Sequence, residues 1–456
     1  MIAPAAAARR PFVFTPSQLL VLSFVGLIAG GTLLLELPWA NSAGVRLPFV
    51  DALFTATSAV CVTGLIVLDT PEAFTPFGQA VILLLIQAGG LGYMTLSTLL
   101  ASALGRRVTL QERLTLKEGL NAYAPGEVVR FARQVFALTL IFEVVGAAVL
   151  TLRWWPEFGL ARGAWLGLFH AVSAFNNAGF SLFTDNLIGY ADDVIVILTV
   201  SGLVIAGGLG FFTITELARF RRRTVPLSMH TRLVVFATIG LLVSATVVIY
   251  LLEARNPGTL GGMSTGTAWL SAWFQATVPR TAGFNSVAIG ACTAPTLFVM
   301  MVLMFIGAAP GGTGGGVKVS TFGVTVAALW ATVRGEQDAV LFRRRIPAET
   351  VSRAFFICLI AFLAMNVVAG ALLVTERREL LPTLFESVSA FGTVGLSVGE
   401  GASPLSLAGH MSRAGQLLLV GLMFAGRIGP LTLAFALAQR HVRSRVRHPE
   451  GKVLIG

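Results

Sequence analysis

Four glycines in closely similar surroundings have the most informative spacing in this sequence. Gly64, Gly179, Gly283 and Gly395 recur every 104 to 115 residues, and Leu or Phe follows each of them. A hydroxyl residue stands six positions before each glycine, and an aromatic residue stands ten positions before it. These residues are Ser58, Ser173, Thr277 and Ser389, and Phe54, Phe169, Trp273 and Phe385, respectively. Self-similarity at a regular period predicts a repeat architecture.

Such glycine turns could bind cations through the backbone. Glycine reaches backbone angles that other residues avoid, so successive carbonyl oxygens can face one axis. Four turns around an axis would form rings of carbonyls that replace the hydration shell of an ion, as in potassium channels. The alternative is close helix packing through small residues, but agreement at three offsets favours an ion site. The predicted ligands are main-chain atoms of Val62, Thr63, Gly64, Asn177, Ala178, Gly179, Thr281, Ala282, Gly283, Thr393, Val394 and Gly395.

Side chains beside the turns are predicted to support them. We expect this role for the four hydroxyl residues and for Arg280, which lies next to the third turn in VPRTAGFN. Arg280 would repel permeating cations unless it buttresses the turn through backbone carbonyls or an acid, or else lies as a free charge in a water-filled outer mouth. We interpret His170 and Cys61 as structural packing residues.

The elements that hold these turns must be membrane helices. The chain has 456 residues, of which 55% are hydrophobic and 12% are charged, and its mean hydropathy is +0.80. Soluble domains carry about 25% charged residues, so this composition excludes an ordinary soluble protein. Three scattered cysteines indicate neither a disulfide framework nor a zinc site. The net charge of +11 reflects the membrane side on which Lys and Arg collect rather than a nucleic acid partner.

Apolar runs of about 20 residues predict eight spanning helices. They lie near 17–38, 76–102, 129–151, 192–218, 231–252, 295–331, 351–374 and 411–438. The segments that contain the glycine turns are apolar for only about 12 residues, too short to span. They fit half-helices that enter and return, which are tolerated only inside protein or along water. A half-helix entering from outside points its partly negative C-terminal end inward, which favours a cation.

The charge pattern predicts one orientation for all four units. Lys and Arg cluster at 9–10, 106–133, 219–232, 334–353 and 440–452, which are both termini and every second connection. The positive-inside rule therefore predicts cytoplasmic termini and half-helices on the outer side. Acids on the outer connections would concentrate cations there; these are Asp69, Glu72, Asp185, Asp192, Asp193 and Glu400. The first apolar run is too long for a signal peptide, so we expect an uncleaved span, although PWANSA is weakly cleavage-like.

We therefore predict an all-α membrane protein of four parallel repeats, each a helix, a pore half-helix, a glycine filter and a helix, around a pseudo-fourfold pore. Inverted repeats would alternate in orientation. The predicted boundaries are an N-terminal tail at 1–15, repeats at 16–105, 129–220, 221–334 and 335–440, a cytoplasmic connection at 106–128 and a C-terminal tail at 441–456.

The sixth apolar run contains GAAPGGTGGGVK at 307–318, in which six residues are glycine and one is proline. No regular helix is expected there. A phosphate-binding loop needs Gly, Lys and Ser or Thr in succession, and Val317 separates Gly316 from Lys318, so nucleotide binding is excluded. We predict a gate beneath the filter, formed by Gly311, Gly312, Thr313, Gly314, Gly315 and Lys318.

Arg427 is the second candidate gate residue. The motifs GGLGYMT, GGLGFFT and GRIGPLT follow three of the half-helices, and Arg427 takes the place of Gly90 and Gly208. An arginine near the middle of a span costs about 3 kcal/mol, so we expect it to face the pathway as a gate, or an acid as a structural ion pair. Glu143, also within a span, is a candidate polar partner or a local helix–helix hydrogen-bonding residue.

These motifs together resemble the Trk/Ktr/HKT superfamily of potassium transporters, and are most similar to the Ktr membrane subunit. The resemblance implies a potassium-selective, often sodium-stimulated uptake protein that forms homodimers on a cytosolic ring of nucleotide-binding subunits. It also implies K+ at the filter and no organic cofactor. Glycine in all four filters goes with potassium preference in this family, whereas serine in the first goes with sodium transport.

The predicted function is potassium uptake across the cytoplasmic (inner) membrane, by a multi-pass protein surrounded by lipid. The alternative of the same fold is a sodium-preferring or ion-coupled transporter. An enzyme would need a nucleophile with its base or metal ligands at membrane depth, and no HExxH, GxSxG or paired intramembrane aspartates occur. A structural scaffold would leave the repeated half-helices unexplained.

Overall fold

The computed structural model describes residues 16–92, 128–221, 226–401, 403–429 and 432–433, which are mostly helical. The predicted tails and nearly all of the 106–128 connection lie outside these residues. The described α-helices are α1 Pro16–Leu35, α2 Phe49–Val60, α3 Thr70–Ala73, α4 Pro76–Leu91, α5 Val128–Phe158, α6 Leu160–Phe175, α7 Val194–Gly208, α8 Phe211–Arg221, α9 Met229–Glu253, α10 Thr265–Thr277, α11 Ala294–Phe305, α12 Val319–Val333, α13 Ala348–Glu376, α14 Leu380–Gly392 and α15 Arg413–Ile428. A hairpin of β1 Val340–Leu341 and β2 Arg344–Arg345 joins α12 to α13.

The apolar helices of the described residues fall into two classes by length. Among the described residues, α1, α5, α9 and α13 are each long and apolar enough to span alone. The pair α7 and α8 makes a fifth span if its bend of 101° is counted as a break within one crossing. The shorter apolar helices are α2, α4, α11 and α12. The count of eight spans therefore stays a prediction.

The four half-helix segments form α2, α6, α10 and α14, and each leads directly into a glycine turn. Their aromatic residues Phe54, Phe169 and Phe385 are completely buried in the main core. In α10 the fully buried aromatic is Phe274, and its neighbour Trp273 is only partly covered. The alignment that matched Trp273 to the other three aromatics is therefore wrong by one residue.

The helices that follow three of the turns break at the same motif position. The breaks lie at Gly92 after α4, Gly210 after α7 and Gly429 after α15, and all three glycines have positive φ angles, of 74°, 82° and 89°. A glycine in this conformation ends a helix because other residues are strained there. The predicted spans 76–102 and 411–438 are therefore not continuous helices, since α4 ends at Leu91 and α15 at Ile428.

The glycine-rich run interrupts the corresponding helix of the third unit, as the sequence predicts. Helix α11 ends at Phe305 and α12 begins at Val319. The ends of the intervening loop pair with each other, since Ile306 and Val317 form a parallel bridge and the Gly307 amide donates to the Val317 carbonyl at 2.8 Å. Residues 307–318 are called the Gly-rich loop below.

Candidate functional site

The four glycine turns share one backbone conformation. We use this name for residues 62–64, 177–179, 281–283 and 393–395. In each turn the glycine has a positive φ, between 71° and 94°. The residue two positions earlier has one too, although none of these is glycine; they are Val62, Asn177, Thr281 and Thr393. Left-handed backbone at non-glycine residues is uncommon and clusters at functional sites.

The turns also contact one another in a closed ring. A Cβ added to any of the four glycines would collide with the carbonyl oxygen of the residue before the next glycine. The distances are 2.3 Å from Gly64 to Ala178, 2.8 Å from Gly179 to Ala282, 2.3 Å from Gly283 to Val394 and 2.2 Å from Gly395 to Thr63. Every glycine therefore provides the space in which a neighbouring carbonyl lies, and all four carbonyls belong to residues predicted to be ligands.

Three of the four predicted hydroxyl residues hold their turns in place. The hydroxyls of Ser58 and Ser173 donate to the carbonyls of Leu65 and Phe180, each at 2.8 Å. Ser58 also accepts from the amide of Gly64 at 3.0 Å, and Ser389 accepts from that of Gly395 at 3.1 Å. Because each bond joins the half-helix to the far side of its turn, the serine fixes the turn geometry.

Thr277 does not brace the third turn. Its hydroxyl donates at 2.9 Å to the carbonyl of Trp273 in its own helix. The amide before each of the other glycines donates to a carbonyl six positions before the glycine, whereas Ala282 donates to Val278, five positions before. The third turn is thus one residue tighter than the others, which also explains the shifted aromatic Phe274.

Arg280 directly precedes the third turn in the chain, and its side chain is buried next to α9. It is 7% exposed, and its Nη2 donates to the hydroxyl of Thr238 at 3.3 Å, while its Nε has no partner among the described residues. A cavity of about 10 Å³ beside it is at the lower limit of the space that one water needs. We expected Arg280 to bind a backbone carbonyl or a carboxylate, or to lie in a water-filled outer mouth. Its described contacts include neither partner, and it does not line the open cavity that contains the four turn glycines.

The turns form the floor of an open cavity of about 430 Å³, called the mouth cavity. Its lining includes all four turn glycines and two of the predicted acids, Asp69 and Asp185. Burial raises the pKa of the Asp69 carboxyl above its ordinary value, and a hydrogen bond with Thr184 partly offsets this. Of the other acids, Asp193 pairs with Arg153 and Glu400 pairs with Arg378.

The Gly-rich loop packs against the first residues of the third and fourth turns, and none of its residues lines the mouth cavity. A Cβ on Gly314 would lie 1.9 Å from the Thr281 hydroxyl, and one on Gly315 would lie 2.3 Å from the Thr393 hydroxyl. Thr313 binds the second half-helix, because its hydroxyl donates to the Phe175 carbonyl at 3.0 Å. The absence of side chains at these glycines therefore lets the loop touch the turns directly.

The predicted gate cations both contact backbone carbonyls. Arg427 donates to the carbonyl of Thr313 in the loop and to those of Gly89 and Gly90 at the end of α4. Lys318 donates to the Gly314 carbonyl at 2.6 Å. Arg427 lies in the last turn of α15. It forms no ion pair among the described residues, so its described contacts do not support the ion-pair alternative. Its expected position near the middle of the eighth span stays a prediction.

A set of packing glycines was missed by the sequence reading. The first glycines of the three shared motifs are Gly89, Gly207 and Gly426. A Cβ on any of them would lie 1.8 to 1.9 Å from a carbonyl oxygen in the last turn of a half-helix, that of Val60, Phe175 or Phe391. Glycine allows such close backbone approach. The recurrence of GGLG and GRIG was the signal that could have identified them.

A buried polar cluster lies next to the second turn. The Asn176 amide donates to Glu143 at 3.0 Å and to Gln87 at 2.9 Å, and the Gln87 amide donates to Glu143 at 3.3 Å. His170 and Cys61 are fully buried; the His170 ring contacts the Leu166 carbonyl and the Ser181 hydroxyl. No group of three or more acids, histidines or cysteines among the described residues could hold a metal ion.

The sequence and the fold of the chain are similar to those of cation and potassium transport proteins. Residues 9–445 match the family model TrkH, described as a cation transport protein. The chain is 41% identical to the Ktr system potassium uptake protein B of Vibrio alginolyticus, over 96% of this chain and 94% of that protein. It is 34% identical to the potassium/sodium uptake protein NtpJ of Enterococcus hirae, over 97% of each. Its fold resembles the potassium transporter TrkH from Vibrio parahaemolyticus, with a TM-score of 0.75 and 19% identity over 95% of this chain and 87% of that one.

Proposed function

The chain belongs to the TrkH family of cation transport proteins, and on this premise we propose that it takes up potassium ions through a filter formed by its four glycine turns. The relatives are named as uptake proteins, which are not enzymes. This agrees with the expectation that the chain is not one. Potassium is the cargo in this proposal, and K+ binds at the turns as a transported ion.

The closed ring of glycine turns carries the proposal. Four segments from distant parts of the chain have positive φ angles at the same two positions, and each glycine adjoins a carbonyl of the next turn. Carbonyl rings of this kind can replace the hydration shell of a potassium ion. The buried hydroxyls of Thr63 and Thr393 have no described partner, and an ion or water in the pathway would satisfy them.

The mouth cavity supports entry of cations from the side opposite the Gly-rich loop. Asp69 and Asp185 line it, and carboxylates in a concave mouth raise the local cation concentration. We propose that this side faces outward, with both termini in the cytoplasm, eight crossings of the cytoplasmic membrane and four parallel repeats around one pore. The short helices α4, α11, α12 and α15 would each supply part of a crossing.

We propose that the Gly-rich loop and Arg427 close the pathway beneath the filter. The loop touches Thr281 and Thr393, and Arg427 holds the loop to the end of α4. A fixed positive charge there opposes cation passage. Opening requires that the Arg427 contact with Thr313 be released, so that the loop can leave the pore axis.

Two kinds of partner complete the proposal. The family resemblance implies a homodimer with one pore per protomer and a cytosolic ring of nucleotide-binding subunits, and the Vibrio relative is named as one protein of a Ktr system. We propose that such a ring moves the Gly-rich loop. Sodium is proposed as an activator on the same resemblance, and the chain needs no organic cofactor.

A sodium-preferring or coupled transporter is the second candidate. The name of the Enterococcus relative includes both potassium and sodium, and this observation favours sodium transport as the second candidate function. Gly64 in the first turn argues for potassium, because a Cβ there would displace the Ala178 carbonyl.

Ion flux in proteoliposomes tests the proposal directly. Purified protein is reconstituted, and uptake is measured under separate gradients of K+, Rb+ and Na+, with empty liposomes as the control. We expect K+ and Rb+ to enter and Na+ to be largely excluded. Equal entry of all three would refute potassium selectivity, and entry no faster than into empty liposomes, with and without a cytosolic partner, would refute the uptake function.

A further inference from the structure

Glu143 is a carboxylate buried near the middle of a membrane helix. It lies in α5, which is long and apolar enough to span alone, and it is 4% exposed. Its oxygen Oε1 accepts from the Asn176 amide and its Oε2 from the Gln87 amide. The same Asn176 amide donates to Gln87 Oε1. These three side chains form a closed triangle between α4, α5 and the end of α6.

A simple helix contact would not require a buried carboxyl group. No Lys, Arg or His forms an ion pair with Glu143 in the described part of the chain. A buried carboxylate without an ionic partner is costly, and apolar residues of similar size would join α4 to α5 without that cost. We therefore expect Glu143 to have a role beyond holding α4 to α5, and this role should depend on what the triangle contacts.

Two chains of contacts lead from this triangle to Arg427. In the first, Asn176 follows Phe175, whose carbonyl binds the Thr313 hydroxyl, and the Thr313 carbonyl binds Arg427. In the second, Arg427 donates to Gly89 and Gly90, in the same final turn of α4 that holds Gln87. A Cβ on Gly90 would lie 2.0 Å from Asn176 Oδ1, so this part of α4 also contacts the Asn176 side chain directly.

We propose that Glu143 is a positioning residue that couples the filter to the gate. It accepts a hydrogen bond from Asn176, the residue directly before the second glycine turn. It also accepts one from Gln87, which lies next to the α4 carbonyls that Arg427 binds. Glu143 thus stabilises both the shape of the second filter strand and the closed position of Arg427, a role that rests on the proposed uptake function.

Glu143→Gln tests this role because it keeps the size of the side chain and replaces one of its two acceptor oxygens by an amide donor. Its new amide group would face the donating amide of either Gln87 or Asn176, so at least one bond of the triangle is lost. We expect the ratio of Rb+ to Na+ uptake in proteoliposomes to fall about fivefold, which corresponds to the loss of one ordinary hydrogen bond of about 1 kcal/mol. Gln87→Leu removes the second partner and should shift the ratio in the same direction.

Glu253→Gln is the matched control. Glu253 is also a buried carboxylate in a membrane helix, 1% exposed, and it accepts from Asn256, Thr259 and Thr293. These contacts lie at the far end of α9 and include no glycine turn. We expect Glu253→Gln to lower thermal stability while the Rb+ to Na+ ratio stays at its wild-type value.

A double-mutant cycle with Arg427→Ala separates coupling from local damage. If Glu143 and Arg427 act through the same contacts, basal Rb+ flux in the double variant should rise by less than the product of the rises in the two single variants. Independent effects, or an unchanged ion ratio in both Glu143→Gln and Gln87→Leu, would overturn the coupling role. Wild-type protein that takes up no potassium would instead refute the proposed function, so the two failures are distinguishable.

Discussion

The four glycine turns, called the upper layer, differ in symmetry from the groups that contact them or their half-helices away from the mouth cavity. These groups are the ends of α4 and α7, the Gly-rich loop and the end of α15 with Arg427, and they are called the lower layer. In the upper layer all four repeats contribute the same backbone conformation, with a positive φ at the glycine and two residues before it. In the lower layer the repeats differ. The first two contribute the glycine-ended helices α4 and α7, the third contributes the Gly-rich loop, and the fourth contributes Arg427.

Under the proposed function, the difference reflects two physical tasks, ion coordination in the upper layer and closure in the lower one. A ring of ligands around an unhydrated ion works best when every repeat supplies equivalent carbonyls. A closure needs only one element that can move and one group that holds it, so a single loop and a single side chain suffice. The third repeat departs from symmetry in both layers, since its turn is one residue tighter and its loop touches Thr281 from below.

Gly64→Ser should have the largest effect, because it breaks the symmetry of the upper layer. A serine at φ 92° is strained, and its Cβ would lie 2.3 Å from the Ala178 carbonyl. We expect discrimination between K+ and Na+ to fall by about tenfold or more, since about 1.4 kcal/mol of altered ion binding changes a ratio tenfold. Competitive uptake of the two ions in proteoliposomes measures the ratio.

Gly240→Ser is the control for this change. Gly240 lies within α9, and nothing lies within 4 Å of its missing Cβ. Its replacement should leave discrimination unaltered. A Gly64→Ser protein that discriminates as well as the wild type would remove Gly64 from the filter.

Arg427→Ala should open the lower layer while the upper layer keeps its selectivity. It removes the contacts with Thr313, Gly89 and Gly90. We expect basal Rb+ flux to rise about tenfold, since each lost hydrogen bond to a charged group contributes about 1.5 kcal/mol or more. Flux is measured without any cytosolic partner.

The ion preference of Arg427→Ala protein is the internal control. We expect K+ and Rb+ to remain preferred over Na+, because the four turns are untouched. Basal flux at the wild-type level would contradict the gate, and lost preference at raised flux would mean that the two layers are not separable.

Ser58→Ala and Thr277→Ala form a matched pair within the upper layer. Ser58 bonds both sides of its turn, whereas Thr277 bonds only its own helix. We expect Ser58→Ala to reduce K+ over Na+ preference about threefold and Thr277→Ala to have no measurable effect. Equal losses in both variants would show that the shifted register of the third turn does not matter for function.

The smallest expected effect concerns the acids of the mouth cavity. Because burial raises the pKa of Asp69, this carboxyl loses its charge on acidification at a higher pH than an ordinary aspartate. We expect K+ uptake at low ion concentration to fall about twofold between neutral and mildly acidic pH as the attractive charge is lost. Asp69→Asn should start from the lower rate and lack this step; a persistent step would assign the titration to another group.

Much of this architecture was predictable from the sequence. Long apolar runs predicted α1, α5, α9 and α13, because a backbone in lipid must satisfy its own hydrogen bonds. The recurring motif predicted where the four half-helices end in glycine turns. The loop at 307–318 was predictable too, since proline and six glycines cannot maintain a helix.

The sequence by itself determined these local elements, whose causes lie within about 20 neighbouring residues. Only the tertiary structure decided that Arg427 donates hydrogen bonds to the carbonyls of Gly89 and Thr313. It also decided that the third turn is one residue tighter than the other three. It also brought Glu143 against Gln87 and Asn176. The physical reason is that backbone carbonyls are present at every residue and carry no sequence signal. Which of them comes within hydrogen-bonding distance of a distant side chain depends on how the helices pack.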